Sequence, residues 1–167
     1  LGVGIGPGLF TGLRVGITTA KVMGFALRVP VVGIPSLDLL AYPVRYTPKV
    51  IAAVIDARRH EVFWSLYRSV PGGMQRVSDY HVGPAEEVVH EVRALGDDTL
   101  FVGEGAMRYW DTLSECDGVE LAGPEFMAPS AAALVALTTA RVEREEFSNA
   151  SDIEPLYLRA SDAEQGV

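Results

Sequence analysis

The chain changes its pattern at Lys49. Before it, short apolar strands alternate with helices; after it, three strands follow one another with only tight turns between them. Leu1–Ile5 reads as a short buried strand, broken by Gly6-Pro7-Gly8. Phe10 to about Leu27 reads as a helix, with Thr11 near its start and Pro30 beyond its end. Val31–Ile34 predicts a second apolar strand, and Ser36 stands where it would cap a short helix running to Ala41, ended before Pro43. Strand, helix, strand, helix predicts parallel pairing, because parallel neighbours need a crossover between them. From Lys49 the style is antiparallel. Lys49–Asp56 is β-branched and apolar, Glu61–Tyr67 alternates, Pro71-Gly72-Gly73 turns the chain, and Arg76–Val82 predicts a third strand.

The remainder returns to alternation. A helix is expected at about Pro84–Leu95, with Pro84 suited to its first turn. A strand follows at Leu100–Val102, a helix at Gly105–Leu113, a weak strand at Val119–Leu121 and a strong helix at Ser130–Arg144, capped by Ser130. Three antiparallel strands followed by helix, strand, helix, strand, helix is the order of a ribonuclease-H-like lobe. Residues 1–46 match only the second half of such a lobe, so the expected organisation is an incomplete N-terminal lobe over 1–46 and a C-terminal lobe over 47–167. The chain opens at Leu1, without Met, and reads as beginning inside a larger reading frame.

Composition narrows the function. Half of the 167 residues are hydrophobic (49%) and 22% are charged, which is a globular balance rather than a disordered one. The nearly apolar stretch Gly12–Leu27 carries Arg14 and Lys21 and is shorter than the ~20 residues of a spanning helix. With no signal peptide and the single thiol of Cys116, the expectation is a cytoplasmic protein. The net charge of −8 argues against the chain alone gripping nucleic acid. That charge is uneven: residues 1–60 hold seven Lys and Arg against two Asp and Glu (+5), and residues 61–167 hold seven against twenty (−13).

Several segments could carry chemistry. Gly4-Ile5-Gly6-Pro7-Gly8 sits between a strand and a helix, where backbone N–H groups can cradle phosphate. It lacks the Gly-Lys-Ser/Thr of a Walker loop and the spacing of a dinucleotide fingerprint, so it reads first as a tight turn. Gly12, Gly16, Ala20 and Gly24 recur every four residues and predict a small-residue groove for a partner helix, with packing inside the home lobe an equal alternative. Leu13 and Ile17 line a second face, and Arg14 and Lys21 sit at the rim. Asp56-Ala57-Arg58-Arg59-His60-Glu61 closes the first hairpin with guanidinium forks suited to carboxylate or phosphate. His60, His81 and His90 show no i,i+4 pair, Ser36, Ser130 and Ser161 lack a nucleophile elbow, and Cys116 lies among acids. No metal, cofactor or catalytic residue is predicted.

Taken together, these segments resemble one family. Gly6-Pro7-Gly8-Leu9-Phe10-Thr11-Gly12-Leu13-Arg14 is similar to the Gly-Pro-Gly-Ser-Phe-Thr-Gly-Leu-Arg signature of bacterial TsaB (YeaZ), with Leu9 in place of Ser. Pro30-Val31-Val32-Gly33-Ile34-Pro35-Ser36-Leu37-Asp38 resembles its next segment, Asp56-Ala57-Arg58-Arg59-His60-Glu61-Val62 its Asp-Ala-Arg-Arg-x-Glu-Val, and Pro155-Leu156-Tyr157-Leu158-Arg159 its Pro-x-Tyr-Leu-Arg. The resemblance implies an α/β fold of the actin, Hsp70 and sugar-kinase type, with about three strands and a helix ahead of Leu1. It implies a non-catalytic scaffold or activator subunit of the machinery forming N6-threonylcarbamoyladenosine at position 37 of tRNA. The implied partners are a TsaD-type catalytic paralogue, a TsaE-type ATPase and tRNA through the complex; a second copy of the chain is expected on the same helix when the catalytic partner is absent. It places the association surface on the helix carrying Gly12, Leu13, Arg14, Gly16, Ile17, Ala20, Lys21 and Gly24. A nucleotide-binding kinase-like enzyme, or the glycoprotease of older family descriptions, is the alternative.

Overall fold

The computed structural model describes residues 1–159. Ser161 and the end of the expected C-terminal lobe lie outside the described residues. Two sheets organise the chain. β1 (Gly2–Gly6) and β2 (Val32–Pro35) pair in parallel across α1 (Phe10–Leu27). β3 (Val50–Arg58), β4 (Glu61–Val70), β5 (Gly73–Arg76), β6 (His81–Gly83), β7 (Thr99–Val102) and β8 (Val119–Leu121) form the second sheet, ordered β5-β4-β3-β7-β8, with β6 also on β4. β3 pairs antiparallel with β4 and parallel with β7, so the meander and the crossovers meet at one central strand.

The pattern of β3 explains why it is central. Its sequence Val-Ile-Ala-Ala-Val-Ile is apolar at every position, as a strand covered on both faces must be. Successive side chains point to opposite faces. Val50, Ala52 and Val54 join Trp64, Leu66 and Phe101 beneath α3 (Ala85–Leu95), through Val88, Val89 and Val92. Ile51, Ala53 and Ile55 join Phe63 and Tyr67 beneath α2 (Ser36–Ala41), through Leu37 and Leu40. The first sheet is also covered twice. Val3 and Val31 meet Ile17 and Ala20 of α1, while Val32 and Ile34 meet Leu39 of α2 and Ala133 of α6 (Ala131–Glu143). The layers therefore run α1, β1–β2, α2 with α6, the large sheet, then α3.

Four local expectations change. Ser36 begins α2 but caps nothing; Pro35 holds the cap position and no side-chain bond is made there. Ser130 does cap α6, accepting from the Ala133 N–H at 3.1 Å. The single third strand at Arg76–Val82 is two strands, β5 and β6. Ser78 separates them because its hydroxyl accepts from the Leu66 N–H and its carbonyl accepts from the Ser65 hydroxyl, replacing ladder bonds. The helix at Gly105–Leu113 is two short ones, α4 (Glu104–Arg108) and α5 (Trp110–Leu113), meeting at Tyr109. α6, late in the chain, packs on the first sheet beside α2 rather than on the second.

Candidate functional site

Three of the sequence motifs converge on one cleft. After α6 the chain returns along the first sheet: Ser148 bridges Val31, Ile153 enters the core under α1, and the Leu156 N–H donates to the Ile5 carbonyl at 2.7 Å. The next residues reach the Gly6-Pro7-Gly8 loop and the start of α1. The Tyr157 ring lies 5.5 Å from that of Phe10, and its hydroxyl accepts from Arg14 Nε at 3.3 Å. The Arg14 guanidinium lies 3.9 Å over the Phe10 ring. Leu158 packs into the core below the second sheet. Arg159 ion-pairs with Glu61 and donates to the Ala57 carbonyl at 3.1 Å. The tail thus straps the two sheets together, and a cavity of about 540 Å³ lies among these three segments.

The hairpin on the other wall is built on strained backbone. Arg58, Arg59 and His60 have φ of 62°, 54° and 63°, three successive left-handed residues with no glycine among them. For L-residues this conformation costs about 1–2 kcal/mol each. It also breaks the alternation of a strand, so that Arg58 and Arg59, although adjacent, line the same cavity. Asp56, 7% exposed, anchors the turn: it accepts from the Arg58 N–H at 3.0 Å, from Arg108 Nη1 at 2.9 Å and from the Tyr109 hydroxyl at 3.4 Å, with Arg58 Nη1 at 3.7 Å. A second cavity of about 660 Å³, lined by Asp56, Arg58, Glu104 and Arg108, shares the Pro7-Gly8-Leu9 wall. Gly105 lets α4 abut β3, since a Cβ there would sit 2.7 Å from the Ile55 carbonyl carbon. That contact brings Glu104 beside Asp56. Burial pushes the Glu104 carboxyl above its ordinary range, and the Asp56 charge pushes the same way. Burial also raises the Tyr109 hydroxyl, again with Asp56 adding to it.

α1 divides the small-residue stripe. A four-residue step on a helix of 3.6 residues per turn advances about 40°, so Gly12 and Gly24 point about 120° apart. Ala20 and Gly24 face inward, and a Cβ on Gly24 would lie 2.6 Å from Val31 Cγ2. Around Gly12 and Gly16 a Cβ would meet nothing within 4 Å. Ile17 is buried, Leu13 lies half-buried over Gly6, and Thr11 is exposed. Lys21 Nζ donates to the Ser151 carbonyl at 3.0 Å, so it and Arg14 both contact the chain's own tail. The outward apolar residues are others: Val15 and Val22 are each 63% exposed and Phe25 is 85% exposed. Their spacing of seven and three residues is the sequence signal for one outward face.

A polar hub at Asp38 lies away from the cleft. Its carboxylate accepts from the Tyr67 and Tyr80 hydroxyls, each at 2.8 Å, and faces Arg141 Nη2 at 3.7 Å. Burial, and then the Asp38 charge, raise both phenols well above 10.0. His81 stacks on Trp64, and Cys116 is buried with its thiol toward the Val89 carbonyl. Among the described residues no three His, Cys, Asp or Glu side chains group to hold a metal, and no helix is long and apolar enough to cross a membrane.

Two sheets joined through shared helices, the second in ribonuclease-H-like order, define the class: an actin-like α/β fold. Residues 1–166 match the family model for TsaD, tRNA N6-adenosine threonylcarbamoyltransferase. The tRNA threonylcarbamoyladenosine biosynthesis protein TsaB of Escherichia coli is 29% identical over 95% of this chain and 70% of its own length. Its Haemophilus influenzae counterpart is 30% identical over 95% and 69%. A crystal structure from Pseudomonas aeruginosa, described as similar to the peptidase YeaZ, superposes with a TM-score of 0.82 at 32% identity, covering 95% of this chain and 72% of that one. The chain belongs to the TsaB (YeaZ) family.

Proposed function

We propose that this chain takes part in tRNA threonylcarbamoyladenosine biosynthesis as a non-catalytic scaffold that docks a TsaD-type catalytic subunit through α1, with a TsaE-type ATPase joining the assembly. In this reading residues 1–46 are the second half of an N-terminal lobe and 47–167 carry the C-terminal lobe, with α6 crossing back. The observation that carries it is the outward face of α1. Its inner face is already filled by Val3, Val31 and Ile153, yet Val15, Val22 and Phe25 present apolar surface on the other side. Gly12 and Gly16 lie open, where a second backbone can approach closely. The names of the relatives support the pathway, and the helix supports the mode of association. In the absence of a catalytic subunit, the same face serves a second copy of the chain.

The test is reconstitution. The chain is expected to co-purify with a TsaD-type subunit and to restore threonylcarbamoylation of tRNA when mixed with it and the ATPase. The double variant Val22→Asp, Phe25→Asp alters only exposed positions, so it is expected to keep the native circular dichroism and melting curve while losing association and modification. Unchanged association by that variant would remove α1 as the docking face.

A further inference from the structure

Resting on the tRNA-modification reading above, we infer that the cleft between the Gly6-Pro7-Gly8 loop and the Asp56–Glu61 hairpin takes one unstacked nucleotide of single-stranded RNA, its base against the Phe10–Tyr157 ring pair and its phosphate on Arg58, which lines both this cavity and the adjoining one. Three independent features converge on this. The first is charge. The cavity of about 540 Å³ is lined by Arg14, Arg58, Arg59 and Arg159 with Asp56 as the one carboxylate among its lining residues, whereas Arg108 lines the adjoining cavity together with Glu104. The Arg58 side chain is 63% exposed, so its donors not spent on Asp56 face the open cleft. In a chain of net charge −8, this concentration of arginine is local rather than a general basic character.

The second feature is the ring pair. Phe10 and Tyr157 are 40% and 46% exposed, tilted by 30°, and Arg14 backs the Phe10 face. Exposed aromatics beside arginines are how proteins hold splayed bases, while a duplex keeps its bases stacked away from such a surface. The third is the backbone. Arg58 pairs with Glu61, so Arg59-His60 is the two-residue turn with positive φ that Asn-Gly usually fills, and Arg58 beside it is left-handed as well. What the strained form supplies is two adjacent arginines on one cavity, and backbone strain of this kind gathers at binding sites. The cavity, about 540 Å³, is within the range of small-molecule sites and has an apolar wall from Leu13 and Phe63.

The experiment is fluorescence anisotropy at low salt, using the full chain and a labelled RNA hairpin of about 17 nucleotides with an unpaired loop. A blunt RNA duplex of similar length and free AMP serve as comparators. The hairpin is expected to bind at least about tenfold more tightly than the duplex. Arg58→Gln leaves Arg108 on Asp56; it is expected to weaken hairpin binding about fivefold and to reduce the salt slope by about one. Tyr157→Leu, which keeps an apolar side chain and leaves Arg58 on Asp56, is expected to cost at least about fivefold with the salt slope unchanged. Equal binding of hairpin and duplex, no binding by the wild-type chain, full competition by AMP at the hairpin's own affinity, or unchanged binding by both variants would each overturn the inference. Reconstituted modification separates this from the scaffold reading. A wild-type chain that restores modification but binds no loop leaves the scaffold and removes the cleft, whereas failure to restore modification removes the scaffold whatever the RNA binding.

Discussion

Arg159 donates to the carbonyl of Ala57, 102 positions earlier in the chain, at 3.1 Å, while its other nitrogen pairs with Glu61. One side chain thereby grips both sides of the strained turn at Arg58–His60. Arg159→Ala is expected to lower stability by about 1–2 kcal/mol, the range for a charge-assisted bond to a half-buried partner. Glu61→Gln keeps the carbonyl bond and is expected to cost less than half as much. Urea midpoints of the two variants, with unchanged slopes, are the measurement.

Burial, and then the Asp38 charge, make Tyr67 and Tyr80 a source of alkaline sensitivity. Tyr67 and Tyr80 hold their protons more tightly in the native chain than at their ordinary value of 10.0. Above pH 10 the unfolded chain releases those protons first and gains stability relative to the native one. Stability is therefore level through the neutral range and falls as the pH rises past 10, and Tyr80→Phe is expected to flatten that fall. Absorbance at 295 nm is expected to show these two phenols ionising only with unfolding. Asp38→Ala, which strands both hydroxyls, is expected to cost about 2–4 kcal/mol at pH 7.

The two ends of the glycine stripe are expected to respond in opposite directions. Gly24→Ala places a methyl 2.6 Å from Val31 Cγ2 and is expected to destabilise by about 1–3 kcal/mol. Gly16→Ala meets open space and is expected to stabilise the isolated chain by up to about 1 kcal/mol, through helix propensity alone. Thermal melts of the two variants decide this without any partner.

His60→Gly is expected to raise the melting temperature by relieving φ of 63° at one position, with a gain of about 0.5–1 kcal/mol. The residue is exposed and lies outside both cavities, so hairpin RNA binding is expected to stay within twofold of wild type.

Much of this architecture is legible in the residues. The bounds of α1 follow from Phe10 and Leu27 because Gly-Pro-Gly precedes it and Pro30 follows it. The meander follows from alternation in Glu61–Tyr67 and the Pro-Gly-Gly turn. What stayed hidden depends on contacts between distant segments. Ser78 splits a strand through bonds to Ser65 and Leu66, which no local pattern around residue 78 records. α6 carries apolar residues nearly all round, so its sequence leaves open which sheet it covers. The cleft is visible only in pieces: Asp56 and Arg58 stand out as a motif, but Arg108 and Glu104 join them only where α4 packs on β3, and Tyr157 meets Phe10 only where the tail crosses.

That crossing sets an order on folding during synthesis. β1 and β2 emerge well before α6, yet the layer covering one face of their sheet includes α6, and the other core is completed by Ile153. The first sheet therefore stays partly uncovered while roughly a hundred further residues are made, and it closes only when α6 and Ile153 arrive. The second sheet, whose strands and covering helices are mostly near neighbours in the chain, can consolidate in the meantime. A nascent chain halted before α6 leaves one face of β1–β2 to α2 alone, and one halted before Ile153 leaves the core under α1 incomplete.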